Sequence, residues 1–219
     1  DLAQTWVPSS DFTQWTFSIR DDAFWHDGTQ FTAKDAKFWF DLAYSGVERG
    51  GGSRAPAYFQ GELGNILKVE VEPHNRLVIT LAQPTPRYIE MLTNPRLKIA
   101  HPIHLMKPEI DQGNFGVAPS DIGTVGTGPF RLTSYEKGSL IRVDRFEKYW
   151  EKDSKGRRFP YLDGIQFVIM TDPSAMDAAF RTGRLDGGAR GEGHYLSIER
   201  KRIYDRDLEG EVFYGEIQG

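Results

Sequence analysis

The sequence predicts a mixed α/β fold, with antiparallel hairpins and a strand–helix–strand unit. Three features support it. Trp15-Thr16-Phe17-Ser18-Ile19-Arg20 alternates apolar and polar residues, the period of a half-buried strand. Two pairs of strand-like runs flank short turn segments, Pro73-His74-Asn75-Arg76 and Glu136-Lys137-Gly138-Ser139. A nearly continuous apolar run, Ile165 to Met170, the kind of strand buried on both faces, is followed by a helical segment with its own start and stop signals.

In chain order, the Trp15 strand gives way to a turn at Asp27-Gly28, where glycine takes positive φ at no steric cost. Thr32-Ala33-Lys34-Asp35 then has the pattern of a capping box, with an aspartate where Glu or Gln is usual. The helix it opens carries Ala36, Trp39, Phe40 and Ala43 on one face. Gly46 and Gly50-Gly51-Gly52-Ser53 end that helix in a mobile loop. Val69 to Glu72 and Leu77 to Leu81 form the first hairpin. Pro84 and Pro86 bound a helix through Ile89, Met91 and Leu92, and Pro102 and Pro108 bracket a second short element.

Residues 111–129 are rich in Gly, Asp, Asn and Pro and read as the connection between two lobes. Phe130 to Tyr135 and Leu140 to Val143 form the second hairpin. After the Ile165 strand, Asp172 caps a helix with Pro173 at its first position and Gly183 just past its end. Leu185 to Ala189 returns as a strand, which implies a parallel pair with a right-handed crossover.

Composition narrows the function. The chain has 219 residues, 26% charged and 39% hydrophobic, with a formal net charge of −4. That charge gives no broad basic field, which argues against nucleic acid as the main partner. No stretch is long and apolar enough to span a membrane, and no signal peptide opens the chain, so a cleaved or omitted leader stays open. The absence of cysteine excludes disulfides, thiolate metal sites and a cysteine nucleophile.

Several enzyme-like signals fail on local context. Gly123-Thr124-Val125-Gly126-Thr127-Gly128 imitates a dinucleotide loop, but Pro129 and a strand follow it where a helix is needed. His101 and His104 form the only close histidine pair, with no third ligand nearby for zinc. Lys152 to Arg158 reads as an exposed charged loop. A metal-dependent hydrolase using His101, His104 or His194 with nearby carboxylates stands as the different-class alternative, and bound zinc would favour it.

Three ordered blocks of residues resemble the bacterial extracellular solute-binding proteins of family 5, the dipeptide- and oligopeptide-binding group. The first block runs through Leu2-Ala3-Gln4-Thr5-Trp6, Trp15 to Arg20, Phe24-Trp25-His26-Asp27-Gly28-Thr29 and Phe31-Thr32-Ala33-Lys34-Asp35. The second is Gly126-Thr127-Gly128-Pro129-Phe130-Arg131-Leu132 with Arg145-Phe146-Glu147-Lys148-Tyr149-Trp150. The third joins Tyr161-Leu162-Asp163-Gly164-Ile165 to Ala178-Ala179-Phe180-Arg181-Thr182-Gly183-Arg184-Leu185-Asp186. Arg145-Phe146 stands where the family usually has Arg-Asn, and Thr182-Gly183-Arg184 where Ser-Gly-Glu is commoner.

The resemblance implies a partial type II periplasmic-binding-protein-like fold. Residues 1–118 would form a peripheral lobe, and 119–219 part of a main lobe ending near the hinge. An N-terminal segment and the second lobe would be missing. It implies a substrate-binding component of an ABC importer, not an enzyme. Such a protein captures a peptide or similar solute between lobes for delivery to ABC permease subunits. It would be a monomer without cofactor, periplasmic or extracellular, with anchoring through a leader left open. An oligosaccharide receptor of the same fold is the nearer alternative.

Ligand-binding candidates follow from loops at strand ends, where open α/β sheets receive ligands. They are Gly128 in the glycine turn, and Arg190, Glu192 and His194 in the loop after the Leu185 strand. Tyr58 and Phe59 stand where peptide-binding relatives place an aromatic near the ligand's far end. The bland readings are a tight turn for Gly128, a solvated connector for the 190–195 loop, and core packing for Tyr58 and Phe59.

Overall fold

A computed structural model describes residues 1–41, 48–49, 53–54, 66–93, 102–114 and 123–186. The elements in order are β1 (Ala3–Pro8), β2 (Gln14–Ile19), α1 (Ala33–Phe40), β3 (Glu48–Arg49), β4 (Ser53–Arg54), β5 (Ile66–Glu72), β6 (Arg76–Leu81), α2 (Tyr88–Leu92), α3 (Ile103–Asp111), β7 (Phe130–Glu136), β8 (Leu140–Arg145), β9 (Gly164–Val168) and α4 (Pro173–Arg181). Two compact units emerge, residues 1–136 with 141–167, and residues 137–140 with 168–219.

The larger unit is organised by a four-stranded antiparallel sheet in the order β1-β2-β6-β5. The alternation at Trp15 to Ile19 becomes the central strand β2, with Trp15, Phe17 and Ile19 all buried on one face. In register, Trp15 lies opposite Ile79 and Phe17 opposite Leu77, so the buried faces of β2 and β6 coincide. Trp6, on the edge strand β1, is 44% exposed. Helix α1 buries Ala33, Ala36, Trp39 and Phe40, the expected face as far as the described residues reach.

The β5–β6 hairpin turns at His74 and Asn75, with φ of 63° and 55°. Two successive left-handed residues suit the right-handed twist of the flanking strands, and Asn tolerates that conformation better than most side chains. Asn75 then links three segments. Its Oδ1 accepts the Ala33 amide at 2.7 Å, an otherwise free donor at the start of α1. Its Nδ2 donates to the Ile19 and Arg20 carbonyls and to Asp21 Oδ1, at 3.2–3.3 Å.

The second sheet has the order β7-β8-β9. Gly164 opens β9 against β8 so closely that a Cβ there would lie 2.8 Å from the Val143 carbonyl oxygen and from Asp144 Oδ1. Only glycine fits such an approach without displacement.

In the smaller unit, the Ile169 amide donates to the Ser139 carbonyl, and α4 is capped as expected. Asp172 Oδ1 accepts the Ser174 amide at 2.8 Å, Pro173 begins the helix, and Gly183 follows its end at φ 68°. The return strand expected at Leu185 to Ala189 falls largely outside the described residues, and Leu185 and Asp186 themselves are not in a strand.

Three expectations need correction. The Ile165 to Met170 run is not buried on both faces: Phe167, Val168 and Ile169 are 46%, 50% and 41% exposed among the described residues. An apolar run identifies a strand, but burial depends on what packs over it, and among the described residues β9 lies at the edge of its sheet. Pro108 lies inside α3 and does not bound it. Proline's fixed φ is helical, so the helix continues past it at the cost of one missing donor and crowding of the ring against the preceding turn. In the expected 46–53 loop, the described residues of β3 and β4 pair as a short antiparallel ladder.

Candidate functional site

The turn between β2 and α1 is where the larger unit concentrates its polar chemistry. Asp35 is the one buried charged residue in the described part of the chain. Its Oδ2 accepts from the Thr32 amide and hydroxyl, both at 2.9 Å, which completes the capping box. Its Oδ1 accepts the Trp25 indole N–H at 3.2 Å. A carboxylate taken from water needs such donors, and these three supply them.

Next to it, Asp27 Oδ1 accepts the Thr29 amide at 2.9 Å, and Oδ2 lies 2.6 Å from His104 Nε2 of α3. Burial works to raise the Asp27 pKa, but the Thr29 amide and His104 together hold it below the usual carboxylate range. His104 thus partners Asp27, and no group of three His, Cys, Asp or Glu suited to a metal occurs among the described residues. His101 lies outside them.

His26 reaches across to the segment before β7. Its backbone amide donates to the Gly126 carbonyl at 2.9 Å, and the Gly126 amide donates back to His26 Nδ1 at 3.2 Å. Its Nε2 is 3.0 Å from the Gly128 carbonyl. An amide can only donate and a carbonyl can only accept, so Nδ1 is the lone-pair nitrogen and Nε2 carries the hydrogen. Burial pushes the His26 pKa below its ordinary value, against the pull of the Gly128 carbonyl. Phe146 packs edge-on against the ring, centroids 5.0 Å apart.

The segment held this way borders a hollow of about 750 Å³ within the larger unit. Its floor is apolar, with Phe17, Ile19, Leu77 and Ile79 from β2 and β6 and Ile89 and Leu92 from α2. Its rim carries Thr127, Gly128, Tyr149 and Glu151. The Tyr149 hydroxyl donates to Glu151 Oε2 at 2.9 Å, and burial together with that carboxylate pushes its pKa up to about 12. The Arg20 guanidinium lies 4.0 Å from the centre of the Trp150 ring, beside the same rim. An apolar floor under a few polar rim groups can bury a nonpolar moiety and orient it, which makes the hollow a candidate site, although its floor is the unit's own hydrophobic core.

Of the residues singled out in the sequence, Gly128 is on this rim. Tyr58, Phe59, Arg190, Glu192 and His194 all lie outside the described residues. The close-approach glycine of the turn is Gly126, not Gly128. A Cβ on Gly126 would lie 3.3 Å from His26 Cε1, whereas one on Gly128 would meet nothing within 4 Å, and Gly128 has no left-handed φ. Sequence reasoning gave His26 no role beyond its turn. The available signal was that His26 and Gly126 both belong to blocks carrying the family resemblance, and such blocks often meet in space.

Comparison with known proteins agrees with this architecture. Residues 1–213 match the family described as bacterial extracellular solute-binding proteins, family 5 Middle. A Brucella ovis protein named as an ABC transporter peptide-binding protein is 32% identical over 185 residues, which is 84% of this chain and 32% of that protein. The chain therefore spans about a third of that relative's length. Haemophilus influenzae OppA, solved with the peptide RPPGFSPFR, shares the fold with a TM-score of 0.68 at 24% identity, over 96% of this chain and 40% of that one. A binding protein of Agrobacterium tumefaciens R10, MoaA, solved with mannopinic acid, superposes with a TM-score of 0.64 at 28% identity, over 85% of this chain and 34% of that one. These structures place the chain in part of a type II periplasmic-binding-protein fold. The chain belongs to the bacterial extracellular solute-binding proteins, family 5.

Proposed function

We propose that the chain is part of the substrate-binding component of an ABC importer, which captures a peptide or similar small solute without covalent chemistry. The observation that carries this reading is the family match over residues 1–213, with the 32% identity to an ABC transporter peptide-binding protein. The described geometry is consistent with it, since the hollow offers an apolar floor and a polar rim. In the whole protein the ligand would lie between lobes, residues 1–118 in the peripheral one and 119–219 in part of the main one. The partners would be ABC permease subunits, and the compartment periplasmic or extracellular. A nonpeptide solute is the second reading, favoured by the Agrobacterium relative solved with mannopinic acid.

Arg190 supplies the test. It follows the expected Leu185 to Ala189 strand, amid Gly187, Gly188, Gly191 and Gly193, where backbone can approach a ligand closely. A guanidinium there would take a carboxylate in bidentate fashion. In the full-length protein, Arg190→Ala should weaken binding of short peptides by about 1.5–3 kcal/mol, measured by calorimetry. Binding of mannopinic acid and absence of peptide binding would shift the assignment to the second reading. Equal peptide affinities in wild type and mutant would retire the role of Arg190.

A further inference from the structure

We propose that His26 is a protonation-sensitive latch: its neutral imidazole holds the Gly126 amide against the turn before α1, and its imidazolium lets that amide go. The inference does not depend on which solute the protein takes. It rests on the pair of hydrogen bonds that the ring makes at once. Gly126 N–H donates to Nδ1 at 3.2 Å while Nε2 faces the Gly128 carbonyl at 3.0 Å. The two partners demand opposite roles of the two nitrogens, so one tautomer of the neutral ring satisfies both.

A second proton has only Nδ1 to go to. It would set one N–H against another at that short distance, converting an attraction into a repulsion. The Gly128 bond would survive, or strengthen, on the far side of the ring. The release would therefore begin at Gly126, whose approach to the imidazole is already tight: a Cβ there would stand 3.3 Å from Cε1.

The charges around the ring divide. Asp27, on the same turn, favours the imidazolium, and Arg131 of β7 opposes it. Asp27 is itself engaged by His104 from α3. Lys148, in the segment after β8, adds positive charge near Gly28, its Nζ 3.5 Å from where a Cβ on that residue would be. Phe146, from that segment, covers the ring with an uncharged edge. Burial outweighs Asp27 and keeps the folded-state pKa below 6.5. Sign and window follow. The latch is closed above pH 6.5 and weakens as pH falls from 6.5 toward the depressed folded value. Thr127, the residue after Gly126, borders the hollow, so the release reaches its rim over the same range.

The test is nuclear magnetic resonance on the 219-residue chain with labelled histidine and backbone nitrogen. The expected result is a His26 ring in the Nε2–H form that titrates below 6.5. Protection of the Gly126 amide from hydrogen exchange, corrected for intrinsic rate, should then fall about tenfold per pH unit through the window, while amides of Phe17 and Ile79 stay protected. His26→Phe keeps an aromatic edge for Phe146 but removes both ring bonds, and its Gly126 amide should be poorly protected at every pH. His26→Gln can offer an oxygen and an N–H without titrating, and should hold Gly126 with no pH dependence. An Nδ1–H tautomer, a titration at or above 6.5, flat Gly126 protection in wild type, or loss of protection in step with Phe17 and Ile79 would each overturn the latch. If either variant fails to fold, the wild-type titration decides alone.

Discussion

Gly126 and Gly128 are two residues apart, yet their environments differ sharply. The first faces the His26 ring and the second faces open space. Gly126→Val should therefore cost about 1–3 kcal/mol by overpacking. Gly128→Ala should change stability by less than about 1 kcal/mol in either direction, because its φ is not left-handed. Thermal unfolding of both variants checks the ordering, and a more damaging Gly128→Ala would contradict it. Asn75 can be dissected similarly. Asn75→Gly keeps the left-handed turn and loses the side-chain bonds to Ala33, Ile19 and Arg20, whereas Asn75→Ala also takes on the strain of φ 55°. Both should destabilise the chain, by about 1–3 kcal/mol for the unsatisfied Ala33 amide alone. Alanine should be the worse of the two in denaturant titrations.

At the scale of elements, strands with a regular period were legible because alternation records which face meets a core. The Trp15 to Ile19 strand and the α1 face at Ala36, Trp39 and Phe40 are cases in point. The capping residues Thr32, Asp35 and Asp172 were legible because caps are local chemistry. Burial of β9 was not, because its exposure depends on neighbours distant in sequence. Nor does sequence show that Gly164 sits against the backbone of β8. Gly164→Ala should push the two strands apart at Val143 and Asp144 and cost about 1–3 kcal/mol. The effect should also appear as faster amide exchange at Arg145, whose N–H donates to the Asp163 carbonyl at 2.8 Å beside the contact. Wild-type exchange at Arg145 in that variant would show that the strands absorb the added methyl group.

For the whole molecule, the chain's span of about a third of the Brucella relative sets an expectation for binding. If the solute is enclosed between lobes, these 219 residues lack much of the surface that would hold it. They should bind short peptides no better than weakly, with dissociation constants above about 100 μM, weaker than about −5.5 kcal/mol. Calorimetry against a mixed peptide library measures this directly, and nanomolar binding by this chain would contradict enclosure by a second lobe.

The sequence by itself determined the mixed α/β class, the strands and helices with clean periodicity, the caps, and membership of the family through three ordered blocks. These are properties of neighbouring residues, or of motifs specific enough to stand alone. Only the tertiary structure decided that the first two blocks clasp each other through His26 and Gly126, that His104 serves Asp27, and that Gly164 lies against β8. A hydrogen bond between residues 100 positions apart leaves no periodic trace in the chain. It exists only once the sheet and the turn have brought donor and acceptor within 3.2 Å.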